Sequence, residues 1–238
     1  MHTTQTLLQL AAQIPTVKKF CLISSLAVVG PSADGTRLDE SAPCRPLTTY
    51  AQSKIDAEQL TRDFSGKIPI VILRPPTVYG PRDRDILEMF QWIRRGIIPL
   101  IGKEEKTLSL IHGVDLARGI AEATFSERTT GNTYFISEER IYTYTELVEF
   151  ISTIVHKKAI RLRFPSAAVW VLAAATELVF LPSSKTPVLN LEKARIILQP
   201  HWVCSPAKLK QDIGFETQIS THDGLLSTHD WYRNMGWL

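Results

Sequence analysis

Residues Ile68 to Arg74 read IPIVILR, an apolar run that does not alternate with polar residues. A strand with one wet face alternates. A run without alternation is covered on both faces, as in a parallel sheet layered by helices. Phe20 to Ser24 (FCLIS) is a second apolar run of strand length. Before it, Thr4 to Ile14 sets Leu7, Leu8, Ala11 and Ala12 at helical spacing and is closed by Pro15. Gly30 to Pro46 is a loop rich in Pro, Gly, Asp and Ser, and Thr49 to Phe64 predicts a helix. The order helix, strand, helix, strand argues for an α/β fold. The 238 residues suffice for one large domain, or one domain with a small lobe.

Beyond Arg74 the pattern loosens. Asp85 to Arg95 is amphipathic, with Ile86, Leu87, Phe90 and Ile93 on one side. Strands are expected at Ile97 to Ile101, Leu108 to Ile111 and Asn132 to Ile136, with a helix at Val114 to Phe125. Thr143 and Glu146 form a capping box opening a helix through Val155. Ser166 to Leu181, between Pro165 and Pro182, predicts another helix. Its apolar core from Ala167 is interrupted by Thr176 and Glu177 and falls short of the ~20 residues a membrane span needs. It reads as a buried or half-buried helix of a globular fold. From Ala207 onward two short helices are split at Gly214. No clean linker appears, so a second lobe is interleaved with the first. The division expected is residues 1–137 for the sheet domain and 138–238 mainly for the lobe.

A net charge of +3 is too mild to point to nucleic acid as a partner. Cys21, Cys44 and Cys204 are widely spaced without a CxxC, which suggests neither zinc nor a disulfide framework and fits a reducing cytoplasm. Cys21 reads as a small hydrophobe in a strand. The histidines show no metal-ligand spacing. Lys103 to Lys106 (KEEK) reads as a solvated turn, and Trp202, Trp231 and Trp237 as packing residues. No basic n-region follows Met1, so no signal peptide is expected.

The chemistry gathers around Tyr50 and Lys54 in Y-A-Q-S-K. Four residues apart on a helix, they share one face. A phenol ordinarily titrates near ~10 and is a poor base at neutral pH. A neighbouring ammonium favours the phenolate, and a phenol so tuned exchanges a proton with an alcohol or carbonyl oxygen. Such pairs also occur on many helix surfaces by chance. Ser24 and Ser25 end the strand FCLIS, and active groups of open α/β sheets collect at strand carboxyl ends. Serines at a strand end also serve simply to satisfy backbone groups. R-P-P-T-V-Y-G-P-R, Arg74 to Arg82, is a further strand end dense in turn residues.

Together, S-S-L-A-V-V-G, D-E-S-A-P-C-R-P-L-T-T-Y-A-Q-S-K and L-R-P-P-T-V-Y-G-P-R resemble the extended short-chain dehydrogenase/reductase family, which includes NAD-dependent epimerases and dehydratases. V-D-L-A at Val114 to Ala117 and the ending D-W-Y-R-N-M-G-W-L are similar to its second half. The resemblance implies a partial doubly wound, Rossmann-like parallel sheet with a smaller interleaved C-terminal substrate lobe. It implies NAD or NADP as cofactor and a small-molecule substrate. Ser25 matches the residue that hydrogen-bonds the reacting oxygen, and Tyr50 the acid/base. Lys54 matches the lysine that holds the nicotinamide ribose, and Pro75, Pro76, Thr77 and Val78 the segment beside the nicotinamide.

Two departures stand out. Val29 occupies a position where the family often has Tyr, and no G-x-x-G-x-x-G phosphate loop occurs in the sequence. The first strands and the acidic ribose ligand have no counterpart either. The expectation is an N-terminally truncated NAD(P)-dependent oxidoreductase or epimerase, acting on a steroid- or flavonol-type alcohol or ketone or on a nucleotide sugar. A non-catalytic ligand- or protein-binding module is the alternative. Such a chain is expected to uncover apolar faces at Leu7, Leu8, Leu22 and Ile23, and a homo-oligomer formed through an open strand edge is one way to cover them.

Overall fold

The computed structural model describes residues 2–180 and 189–238. Helix α1 (His2–Gln13) leads into β1 (Phe20–Ile23), a 3-10 turn at Leu26–Val28, α2 (Thr49–Asp63) and β2 (Ile70–Arg74). Then come β3 (Thr77–Tyr79), α3 (Asp85–Arg94), β4 (Ile97–Ile101), β5 (Thr107–His112), α4 (Gly113–Phe125) and β6 (Thr133–Phe135). The remainder is β7 (Ile141–Thr143), α5 (Tyr144–Ile154), β8 (Ile160–Phe164), α6 (Ser166–Phe180), α7 (Leu191–Ile197), β9 (His201–Trp202), α8 (Ala207–Ile213) and α9 (Thr221–Asn234).

The first sheet is parallel, in the order β1-β2-β6. Its middle strand β2 is buried at every position, as the unbroken apolar run requires. On one face Ala57 of α2 packs on Leu22 and Ile72. On the other, Ala123 of α4 and Leu209 of α8 pack with Val71, Leu73 and Tyr134. Helices on both faces of a parallel sheet make this the α/β doubly wound architecture. Strand β1 pairs only with β2 among the described residues, and only its Leu22 is buried. The second face of FCLIS is only half covered: Cys21 and Ile23 pack at the margin of the cluster under α4. Of the four residues expected to be uncovered only Leu7 is exposed; Ile23 is half-buried, and Leu8 and Leu22 are buried because α1 packs on α2 and Leu22 lies under Ala57.

A second sheet is built on β5, which pairs with β3 and β9 in parallel and with β7 antiparallel. Strands β4 and β8 form a separate parallel pair. Phe90 and Ile93 of α3, Leu147 and Ile151 of α5, and Tyr232 of α9 close one core between these elements. Gly224 lets α9 approach β3, since a Cβ there would stand 2.9 Å from Tyr79 Cε2. Trp231 and Trp237 pack edge to face, as their packing role predicts. The capping box is formed: Thr143 Oγ1 accepts from Glu146 N at 3.1 Å, and Glu146 Oε2 accepts from Thr143 N at 2.8 Å.

Strands β3, β7, β8 and β9 and helix α7 are absent from the expectation. β3, β7 and β9 are 2 or 3 residues long, too short for a periodic signal, whereas β8 (IRLRF) does alternate and can be read as a strand. KEEK is not simply a solvated turn. Glu105 accepts from Thr145 N, and the half-buried Lys106 ammonium donates to the Ile197 carbonyl. The largest correction concerns α6. Only Val169 and Ala173 are buried, so the helix lies on the surface and not inside it. Its expected end at Leu181 and the bounding Pro182 lie outside the described residues.

Candidate active site

Thr48 begins α2 by accepting from Ala51 N at 3.1 Å, which places Tyr50 in the first turn and Lys54 one turn later on the same face. Lys54 Nζ donates to the carbonyl of Ile23 at 2.8 Å and stands 5.7 Å from the centre of the Tyr50 ring. The lysine thus fastens the start of α2 to the carboxyl end of β1. Tyr50 itself is 53% exposed, so its phenol is open to a ligand.

Past Ile23, Ser24 N donates to Leu73 O at 2.7 Å and Leu26 N to Pro75 O at 2.8 Å, so the chain stays zipped to the end of β2. Extended geometry turns successive side chains to opposite sides. Ser24 is buried and Ser25 faces the cleft. Ser25 caps the 3-10 turn: its Oγ accepts from Ala27 N at 3.1 Å, which leaves the hydroxyl proton for another acceptor.

Behind these residues lies a buried ion pair. Arg74 Nε donates to Glu58 Oε1 at 2.8 Å and Nη2 to Glu58 Oε2 at 2.7 Å, while Arg62 Nη2 reaches Oε2 at 2.7 Å. Burial disfavours the Glu58 carboxylate, but the guanidinium of Arg74, with Arg62, outweighs it and holds the carboxyl below its ordinary value. Arg74 is the last residue of β2 and Glu58 sits two turns beyond Tyr50 on α2. The pair therefore fixes α2 against the strand that leads into Pro75 and Pro76.

A cleft of about 710 Å³ opens in front. Ser25, Tyr50, Pro76 and Thr77 all line it. Lys54 stands behind Tyr50 at the strand end, Pro75 is buried with its carbonyl engaged, and Val78 is exposed away from the lining. The wall is mostly apolar, with Met89, Trp92, Ile98, Ile101, Val148 and Leu189, and also carries Asp85, Glu88, Lys106 and Lys193. Met89 and Trp92 carry no signal of this in the sequence: they flank the buried stripe of α3, and Met89 both packs on the core and lines the cleft. Trp202, expected to serve packing, donates Nε1–H to Ile196 O at 3.2 Å and also lines the cleft. Burial pushes the Tyr144 phenol up to about 12 and the Lys106 ammonium down. Tyr144 therefore stays protonated, donating to Pro99 O at 3.3 Å. A smaller hollow of about 290 Å³ at Glu122, Ser126, Arg128 and Ile213 includes none of the site residues.

The sequence pattern of the NAD dependent epimerase/dehydratase family matches residues 1–136. A ceramide reductase of Caulobacter vibrioides is 28% identical over 223 residues, covering 92% of this chain and 64% of that protein. A putative dihydroflavonol 4-reductase of Synechocystis sp. is 29% identical over 240 residues, with coverage of 95% and 68%. The chain thus spans about two thirds of the length of these relatives. Among solved structures, dTDP-glucose 4,6-dehydratase of Bacillus anthracis in complex with NAD superposes with a TM-score of 0.76 at 21% identity, covering 98% of this chain and 68% of that one. At that identity the likeness shows the fold.

Proposed function

Since the chain belongs to the NAD dependent epimerase/dehydratase family, we propose that it contributes the proton-transfer and substrate side of an NAD(P)-dependent oxidoreductase acting on a hydroxyl or carbonyl of a largely apolar molecule. The observation that carries this reading is the meeting of Ser25 and Tyr50 in one cleft whose walls are mostly aliphatic and aromatic.

The residues present fit the nicotinamide end of the cofactor. Tyr50 opens into the cleft, the Lys54 ammonium retains two donors beyond its bond to Ile23 O, and the Pro76–Thr77 backbone borders the same space. No G-x-x-G-x-x-G for the pyrophosphate occurs among the 238 residues. When bound, the nicotinamide supplies the hydride acceptor or donor. The protein's own part is acid–base and orienting. Ser25 keeps its proton and donates a hydrogen bond through its hydroxyl to the reacting oxygen. Tyr50 takes the proton from that oxygen on oxidation and returns it on reduction. Lys54 orients the ribose hydroxyls through its remaining donors. The Glu58–Arg74 pair keeps helix and strand in register for this.

The mostly apolar wall favours a lipid- or ring-type substrate over a nucleotide sugar, in keeping with the ceramide and dihydroflavonol reductases among the relatives. The test is titration calorimetry of the chain with long-chain ketones, ring ketones and sugar nucleotides. Saturable binding of an apolar ketone is expected, and binding of sugar nucleotides alone refutes the substrate class. Turnover is measured in a protein that also carries the pyrophosphate loop, because this chain alone is expected not to turn over NAD(P)H. There, loss of turnover in Tyr50→Phe is expected, and turnover unchanged by that substitution favours the ligand-binding alternative.

A further inference from the structure

Helix α6 reads SAAVWVLAAATELVF, with Glu177 as the sole charge in 15 residues. That carboxylate is exposed, and its Oε2 accepts from Leu191 N at 3.1 Å at the start of α7. Only Val169 and Ala173 face inward. Trp170, Val171, Leu172, Leu178, Val179 and Phe180 are exposed, Val179 to 71%. A surface helix of a globular protein carries polar residues on its outer face, and a helix apolar all round belongs in a core or a membrane. Among the described residues nothing covers α6, and no helix is long and apolar enough to cross a bilayer.

Strand β8 extends this surface. Its register pairs Ile160 with Ile97, Leu162 with Pro99 and Phe164 with Ile101, so these share one face of the two-stranded sheet. Ile101 packs with Val169 and Ala173, so that face is the one α6 lies on. Ile160, Leu162 and Phe164 are all exposed. The run KKAIRLR from Lys157 to Arg163 holds four cations and no carboxylate. Arg161, which meets Glu149 at 3.0 Å, and Arg163, which donates to the carbonyls of Gly102 and Lys103, alternate onto the opposite face, so the exposed Lys157 and Lys158 just before β8 are the cations left for a partner of the apolar face.

We propose that α6 and the apolar face of β8 form a docking surface for an anionic lipid bilayer, with α6 lying in the headgroup boundary. A helix apolar on its outer face and too short to span can seat that face at the boundary, with Lys157 and Lys158 before β8 for the headgroups. The cations select the partner: anionic headgroups attract them, whereas a two-fold contact between copies sets this patch against itself. Ile101 and Leu189 belong both to the cluster under α6 and to the cleft wall, so docking brings the cleft to the lipid surface. The surface itself does not depend on the reaction assigned to the cleft.

Flotation of the protein with phosphatidylcholine vesicles, with and without phosphatidylglycerol, tests this. Selective binding to the anionic vesicles is expected. Val171→Asp with Val179→Asp should reduce the bound fraction by about tenfold or more. Lys157→Glu with Lys158→Glu should also reduce it by about tenfold at low salt, and high salt should erase that difference. Both pairs of sites are exposed, and a thermal melt matching wild type confirms folding. Absence of binding, equal binding to both lipids, or full binding by both double variants overturns the proposal. So does a dimer, seen by light scattering, that Val171→Asp with Val179→Asp dissociates, because that assigns the face to a second copy.

Discussion

Replacing Glu58 by Gln is the sharpest probe of how the site is held. The carboxylate is 1% exposed and the Arg74 side chain 4% exposed, joined by two hydrogen bonds. The amide keeps the shape but removes the charge, so the guanidinium of Arg74 stays charged and buried above the Phe135 ring. Breaking one side of a buried pair costs about 3–5 kcal/mol. Arg62 adds little, because it is 41% exposed and recovers water when released. Against a total of ~5–15 kcal/mol the loss is severe. For a chain of this size it corresponds to a melting point lower by about 6–20 °C. Urea titration gives the free energy directly. The companion experiment is Glu58→Met with Arg74→Met, in which no charge remains and the cost should be much less than the sum of the two single changes. A single substitution costing under ~1 kcal/mol, or a double change that is simply additive, refutes the claim that this pair fastens α2 to β2.

The same group predicts a pH response. Its folded value lies below the ordinary 4.5, so its stabilisation is complete above that value and is lost as pH falls through the lower, folded one. Glu58→Gln should flatten the acid limb of a stability–pH curve. In a longer protein that also carries the pyrophosphate loop, Tyr50→Phe should lower turnover by ~10²–10⁴-fold while leaving cofactor affinity nearly unchanged, and a kcat near wild type removes Tyr50 from the mechanism. Because the pyrophosphate loop is not among these residues, titration calorimetry should show NAD binding less than about tenfold tighter than nicotinamide mononucleotide; tight NAD binding contradicts this. Gly224→Ala should destabilise by about 1–3 kcal/mol by thermal melt, since the added methyl meets the buried Tyr79 ring.

How legible all this was in the sequence depended on the length of the signal. β2 announced itself because a strand buried on both faces writes Ile70 to Leu73 apolar without alternation; its buried last residue, Arg74, gave no such sign. α5 did so because Thr143 and Glu146 spell a cap. β9 carries only two residues, and its pairing with β5 is a long-range event with no local trace. In the candidate site, Tyr50 and Lys54 could be placed because they share one helix. Met89, Trp92 and Trp202 could not, since what joins them to Ser25 is the packing of separate elements. α6 misled for a clear reason: apolar composition tells what a helix prefers to avoid, and not whether protein or something else does the covering.

The opposite facing of Ser24 and Ser25 has a consequence for how this protein tolerates change in length. The alternation begins in β1 and is locked by pairing to β2, so the reactive hydroxyl is specified by counting residues, even or odd, from Phe20. Insertion or loss of one residue in that stretch exchanges the two serines, hiding one hydroxyl and presenting another from a shifted position, although the composition is almost untouched. At the exposed tip around Asp34, outside any strand, the same edit alters no such count. Length variation is thus a parity error in one place and a neutral event a dozen or so residues away.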